Sequence, residues 1–229
     1  MNGPAVLRAL RDNGLSLGFG TLFLLALAGQ AVTGQADYNS QQLSSGGEPV
    51  SLGQYLVSSS FAVDVAENWQ SEYLQFFLYI FATVWLLQRG SPESKETGHQ
   101  GPQSDEQQRM GSHAEPNSPR WVLLGGWREA MFSRSLGLVM SGIFLASWGT
   151  QSIAGWAAYN SDQLATRQDP IGWADYLGEP DFWNRTLQNW QSELLAVGSM
   201  AIFAVYLRQR GSSESKQVGA PHQETSSTS

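Results

Sequence analysis

The chain has 229 residues, a formal net charge of −7 and no cysteine. The lack of cysteine excludes disulfides, thiolate metal sites and cysteine nucleophiles, and an acidic balance with no basic stripe argues against a nucleic-acid partner. Residues 13–36 and 135–161 contain no charged side chain. Each run exceeds the roughly 20 residues with which an α-helix crosses a ~30 Å hydrocarbon core. We therefore expect an all-α membrane protein.

A gap-free internal repeat organises the whole sequence. Residues 15–95 recur 121 positions later as residues 136–216, with 31 identities in 81 aligned positions. The longest identical run is Asn-Trp-Gln-Ser-Glu, at 68–72 and again at 189–193. Such self-similarity indicates that one structural unit was duplicated.

Each copy is predicted to form a unit with two transmembrane helices, at residues 1–89 and 119–210. In chain order the predicted spans cover about 14–36, 63–88, 134–158 and 182–209. The uncharged runs of the second and fourth spans are too short for a crossing, so each helix must begin before its run and include residues of Asn-Trp-Gln-Ser-Glu. Residues 90–118 and 211–229 are polar and are predicted to be a disordered cytoplasmic linker and tail.

The segment between the two spans of each unit is predicted to contain a short interfacial helix. Ser51 and Gln54 have the spacing of a capping box. The neighbouring Tyr55 aligns with Tyr176 of the second copy. Aromatic rings in these segments suit the headgroup region of a bilayer.

The basic residues predict the orientation of the spans. Of the 13 lysines and arginines, only Arg167 and Arg185 lie between the two spans of a unit. By the positive-inside tendency, both termini and the linker are cytoplasmic, and the two units form a parallel repeat. A cleaved signal peptide is the alternative for the first run, but its copy lies in mid-chain, so we interpret both as spans.

Two glutamates are the main candidates for chemistry. Glu72 lies 17 residues before Arg89, which is about 25 Å along a helix. Glu72 and its copy Glu193 are therefore expected near the outer edge of the hydrocarbon. A carboxylate at that depth is either a proton or cation site, or a group that reaches to the headgroups or caps a neighbouring helix.

Amide side chains could extend this site. Gln30 and Gln151 each lie four residues before a glycine, and small residues with amides favour close helix contacts. A polar pocket between the units would then collect Gln30, Gln151, Asn68, Asn189, Glu72 and Glu193. Structural hydrogen bonding between helices is the alternative role for this set.

The remaining repeated positions suit membrane anchoring. Trp69 and Trp190 are expected at the interface. Arg89 and Arg210 are expected to hold the cytoplasmic helix ends, each followed by a glycine that suits a helix C-terminal cap. The sequence contains no nucleotide loop, metal cluster or catalytic triad, so we expect no metal and no cofactor.

Several of these motifs resemble a bacterial multi-pass membrane family that is catalogued only as a domain of unknown function. The motifs are Asp12-Asn13-Gly14-Leu15-Ser16, Gly29-Gln30, Tyr38-Asn39, Asn68-Trp69-Gln70-Ser71-Glu72 and Gln88-Arg89-Gly90-Ser91. The resemblance covers residues 11–95 and 134–216, and the second copy departs from it at its start. It implies a membrane location, which with cytoplasmic termini we expect to be the bacterial inner membrane, and it transfers no activity, ligand or catalytic residue.

Three functions remain open at this level. The first is a non-enzymatic structural or envelope-associated protein that acts through its outer loops or its contact with the lipid bilayer. The second is a small transporter or channel component in which Glu72 and Glu193 bind a proton or cation. Because four helices enclose little aqueous volume, this second function suits a homodimer. The third is a lipid-modifying enzyme, which no nucleophile or metal ligand supports.

Overall fold

The computed structural model describes Arg8 and residues 10–225, and within them it contains helices and no strand. The four long helices are α1 (Gly14–Ser44), α3 (Ser59–Trp85), α6 (Ser135–Ala165) and α8 (Pro180–Tyr206). The short helices are α2 (Leu52–Leu56), α4 (Arg120–Leu124), α5 (Gly126–Phe132) and α7 (Trp173–Tyr176), with a 3-10 turn at Gly111–His113. The all-α prediction is confirmed.

The long helices follow the sequence repeat closely. Helices α1 and α6 both have 31 residues, and α3 and α8 both have 27. Adding 121 to the bounds of α1 and α3 gives the bounds of α6 and α8. Each copy is therefore a long helix, a short helix and a second long helix.

The first long helix of each copy extends further than the predicted end at residue 36 or 158. The prediction stopped α1 before its first charged residue, Asp37. That side chain is exposed and accepts a hydrogen bond from Gln41, at 2.8 Å, one turn later on the same helix. The charge of Asp37 therefore does not interrupt the helix. The helix ends at Ser44, two residues before Gly46, whose φ is +80°.

The second long helix of each copy begins and ends earlier than predicted. In α8 this start has a clear reason, because Pro180 lies in the first turn, where its missing N–H breaks no hydrogen bond. Helices α3 and α8 end at Trp85 and Tyr206. The predicted capping role of Gly90 and Gly211 is therefore wrong. Both glycines do have positive φ, +87° and +86°, but within turns that follow the helices.

The chain divides into two compact units, residues 1–65 with 153–172 and residues 66–152 with 173–229. In the first unit an asparagine on each long helix fixes the segment that follows it. Asn39 donates to the carbonyl of Val50 at 3.0 Å and accepts from its N–H at 2.7 Å. Asn160 makes the same two bonds to Ile171, at 3.0 and 2.9 Å. The repeat thus preserves a contact as well as a helix pattern.

The short helix α2 also packs in the first unit. Ser51 and Gln54 form the predicted capping box at its start, which confirms that prediction. Tyr55 is 2% exposed, and its ring lies 5.6 Å from that of Tyr38 on α1. Burial, followed by the charge of Asp64, raises the pKa of the Tyr55 phenol.

Within the described residues, α1 and α6 are the two helices that are long and apolar enough to cross a membrane. Their apolar side chains are largely uncovered. On α1, Leu15 is 77% exposed and Phe19 is 67% exposed.

Candidate functional site

The second unit contains a network of charged side chains that joins α3 to α8. Arg185 on α8 lies 3.2 Å from the Glu67 carboxylate on α3 and 3.3 Å from the Asp181 carboxylate one turn earlier. The side chains of Arg185, Glu67 and Asp181 are 36%, 18% and 37% exposed. At this degree of burial an ion pair is screened less than at a free surface.

The sequence places these groups through simple helix rules. Asp181 lies in the first turn of α8, where the helix dipole favours a negative charge. Arg185 follows four residues later, on the same face of the helix. The buried Tyr176 of α7 donates to the Asp181 carboxylate at 2.9 Å. Burial, and then this hydrogen bond, raise the pKa of the Tyr176 phenol.

Buried amides make further contacts between the helices of this unit. Gln70 of α3 accepts a hydrogen bond from the indole of Trp190, at 2.7 Å. Gln151 of α6 donates to the hydroxyl of Thr186, at 3.2 Å. Gln70, Gln151 and Thr186 are each 0% exposed. The part of α8 that follows Arg185 is therefore hydrogen-bonded to both α3 and α6.

An aromatic cluster covers the same face of α8. The ring of Trp148 on α6 lies 6.2 Å from Phe182, 6.4 Å from Trp183 and 6.0 Å from Trp190. Phe144 stacks on Trp148 at 5.7 Å. Trp148 and Trp183 align with Leu27 and Ala62, so this cluster belongs to the second copy alone.

The predicted site residues occupy several different environments. Glu72 is exposed, whereas Glu193 is partly buried. Asn189 donates to the carbonyl of Arg185 in its own helix, at 2.8 Å. The backbone carbonyl of Asn68 accepts a hydrogen bond from Ser71, at 2.9 Å.

The other predicted positions differ in their exposure. Trp69 is 41% exposed, whereas its copy Trp190 is partly buried and donates a hydrogen bond to Gln70. Gln30 belongs to the first unit and is partly buried, in contrast to its fully buried copy Gln151. Whether the glutamates, amides and anchors act together as a site stays a prediction.

Both copies end in a hydrogen-bonded segment that we call the exit turn, residues 86–101 and 207–222. In the first, the backbone N–H of Gln88 donates to the Ser94 hydroxyl at 2.9 Å, and Lys95 donates to the Gly101 carbonyl at 2.7 Å. The N–H of Gly101 in turn donates to the carbonyl of Val84 in α3, at 2.8 Å. The turn therefore satisfies a terminal helix carbonyl.

The second exit turn repeats this arrangement with more partners for its lysine. Lys216 is 6% exposed and donates to the carbonyls of Pro221, His222 and Glu224, at 3.2, 3.1 and 2.9 Å. The two exit turns form hydrogen-bonded structure at the start of the linker and of the tail. Disorder of the linker and tail stays a prediction. Arg210, predicted to anchor this end, is exposed.

Two equivalent carboxyl groups meet at the exit turns. Glu93 accepts a hydrogen bond from the Tyr79 hydroxyl and is hydrogen-bonded to its copy, Glu214. Burial, followed by the bond to Glu214, raises the pKa of Glu93, whereas the bond to Glu93 lowers the pKa of Glu214. Arg89 at the same turn donates to the Gln223 amide, at 3.2 Å.

The sequence reasoning missed the ion-pair network, although one signal was available. Arg185 was one of two basic residues between the spans, and it replaces an acid, Asp64, of the first copy. A charge reversal between equivalent positions marks a place where the copies took different roles. Among the described residues, no group of three or more His, Cys, Asp or Glu side chains could hold a metal ion.

Comparison with known proteins places the chain in a family. A family model described as a domain of unknown function, DUF6766, matches residues 6–227. This match includes both copies of the repeat and the linker between them, and it confirms the predicted resemblance to a domain of unknown function. No curated protein and no solved structure matches the chain. The chain belongs to the DUF6766 family.

Proposed function

We propose that the chain is an integral protein of the bacterial inner membrane with four spans, two parallel repeats and cytoplasmic termini. Helices α3 and α8 have 27 residues each, a length of about 40 Å that exceeds a ~30 Å hydrocarbon core. Their apolar side chains are exposed as on the other long helices, for example Phe81 at 60% and Leu195 at 66%. The distribution of basic residues supports the orientation.

Within that membrane we propose a non-enzymatic, structural or envelope-associated role. The observation that carries this proposal is the Glu67–Arg185–Asp181 network. Its charges are neutralised largely by one another, which suits groups that hold helices together. The hydrogen bonds of Asn39 and Asn160 to the backbone, which we call the asparagine clamps, likewise hold the segments that follow α1 and α6. The protein would then present fixed outer segments to lipid or to an envelope partner.

The topology can be tested because the natural chain has no cysteine. Single cysteines at Ser45 and Ser213 would be labelled in intact cells with a membrane-impermeant maleimide. We expect labelling at Ser45→Cys without cell disruption, and at Ser213→Cys only after disruption. Labelling of both residues in intact cells would contradict the four-span arrangement.

A small transporter or channel component is the second candidate, and the two equivalent glutamates on α3 and α8, Glu72 and Glu193, support it. An ionisable side chain within a membrane span is a candidate proton or cation site. Proteoliposomes with a pH-sensitive or cation-sensitive dye would measure flux for the wild type and for Glu72→Gln/Glu193→Gln. Transport predicts flux that the double variant abolishes without unfolding. A wild-type flux equal to that of empty liposomes favours the structural role.

A further inference from the structure

Four buried side-chain polar atoms in the second unit have no hydrogen-bond partner among the described residues. One is Nε of Arg208, just after α8, and the other three are Nε2 of Gln70, Nε1 of Trp148 and Oε1 of Gln151. Both glutamine side chains are 0% exposed. Buried polar groups are nearly always paired, so four such atoms in one unit require a physical explanation.

The residues that carry the other three atoms, Gln70, Trp148 and Gln151, lie around one stretch of α8. Trp148 and Gln151 are three residues apart and hence on one face of α6, separated by about 4.5 Å along its axis. The Trp148 ring lies 6.0 Å from the ring of Trp190, whose indole is bound to Gln70 at 2.7 Å. Gln151 is bound to Thr186, one turn before Trp190. The residues that carry the three atoms therefore all contact the turn from Thr186 to Trp190.

The hydrogen bonds to Trp190 and Thr186 determine which of the three atoms can donate and which can accept a further hydrogen bond. An indole N–H can only donate, so Gln70 must turn its oxygen toward Trp190 and its NH₂ group away. Gln151 uses its NH₂ group on the Thr186 hydroxyl, which leaves its oxygen. The site thus presents two N–H donors, from Gln70 and Trp148, and one carbonyl acceptor, from Gln151.

We propose that Gln70, Trp148 and Gln151 bind the hydroxyl group of a small uncharged molecule, either water or a polyol of the size of glycerol. A hydroxyl oxygen accepts two hydrogen bonds and donates one, which matches the three atoms. A carboxylate cannot donate to Gln151, and an ammonium ion cannot accept from the two N–H groups. The neighbouring aromatic rings suit the C–H surface of a polyol better than a charged ligand.

The site belongs to one place in the molecule, because the repeat does not reproduce it. Trp148 and Thr186 align with Leu27 and Val65, which cannot make these bonds. Gln191, the copy of Gln70, is exposed. Gln191 is therefore a matched control for substitutions at the site.

The test is an NMR measurement on the full chain in nanodiscs, with ¹⁵N-labelled tryptophan. Loss of one indole signal in Trp148→Phe assigns the Trp148 N–H. A polyol occupant predicts that this signal shifts and saturates as glycerol is added, and that Gln70→Leu weakens glycerol binding by about tenfold, the effect of one lost hydrogen bond of ordinary strength. Gln191→Leu should leave the affinity unchanged.

The outcomes also distinguish the two sources of the hydroxyl group. A cross-relaxation signal from Trp148 N–H to a bound water proton, without a glycerol shift, identifies water. A shift produced by phosphate or acetate, or no response to glycerol and no bound-water signal, would overturn the proposal. If Gln70→Leu fails to fold, the wild-type signals alone still decide between these outcomes.

Discussion

Replacing Arg185 by glutamine is expected to lower the free energy of unfolding by about 2 kcal/mol. The pair with Glu67, at 3.2 Å, has a gross Coulomb energy of about 5 kcal/mol at an effective dielectric constant of ~20. Desolvation offsets much of this energy. Exposed pairs contribute roughly 0.2–1 kcal/mol, and breaking a fully buried pair costs roughly 3–5 kcal/mol. Side chains that are 36% and 18% exposed lie between these limits.

Unfolding in mixed detergent micelles, followed by tryptophan fluorescence, would measure this difference. Arg167→Gln is the matched control, because Arg167 is an exposed arginine of the same copy, and it should change stability by less than about 0.5 kcal/mol. Arg185→Lys should fall between wild type and Arg185→Gln, since lysine lacks the planar fork that reaches both carboxylates. Equal stabilities of the Arg185→Gln and Arg167→Gln proteins would refute the reasoning, as would a zero coupling energy with Glu67→Gln.

Glu93→Gln should remove a gain in stability that the wild type shows as the pH falls from neutrality toward 4.5, the ordinary pKa of this carboxyl. The raised pKa means that the Glu93 carboxyl binds a proton more tightly in the folded state than in the unfolded state. The gain in stability is therefore complete below the ordinary pKa and is lost as the pH rises through the raised pKa. Thermal unfolding at several pH values measures this gain. Gly34→Ala should destabilise by about 1–3 kcal/mol, because the new Cβ would clash with the hydroxyl of the buried Tyr55. Gly29→Ala on the same helix meets open space and should be stabilising by up to ~1 kcal/mol. Asn39→Ala and Asn160→Ala should each cost about 1–3 kcal/mol, in similar amounts because each removes the same two bonds; detergent unfolding measures both pairs.

Each of these three predictions has a result that contradicts it. A wild-type stability with the same pH dependence as Glu93→Gln would show that folding does not raise the pKa of Glu93. Equal effects at Gly34 and Gly29 would contradict the close packing on α1. A large cost at only one asparagine would mean that the two copies do not use the same clamp.

Features set by local spacing could be predicted from the sequence. The capping box needs only Ser51 and Gln54, three residues apart, and the structure forms it. The repeat predicted two copies with equivalent helices, and the bounds of α1, α3, α6 and α8 agree with it. Both inferences depend on neighbouring residues or on an internal comparison, so they need no knowledge of long-range packing.

The charged network could not be predicted in the same way. Glu67 and Arg185 are 118 positions apart, and neither is preserved in the other copy, where Gln188 and Asp64 take their places. The aromatic cluster around Trp148 also departs from the repeat. The repeat singles out residues that are identical in both copies, such as Glu72 and Glu193. The charged network and the aromatic cluster instead depend on positions where the two copies differ.

The two exit turns make the chemistry of primary amines in this chain unusually simple. Lys95 and Lys216 are its only lysines, and each ammonium group is occupied by backbone carbonyls. An amine-reactive reagent must therefore open the second turn before it can modify the buried Lys216, whereas Lys95 is partly exposed and should react more readily. Partial acetylation followed by mass spectrometry would compare the two turns, with the wild-type protein and no added label.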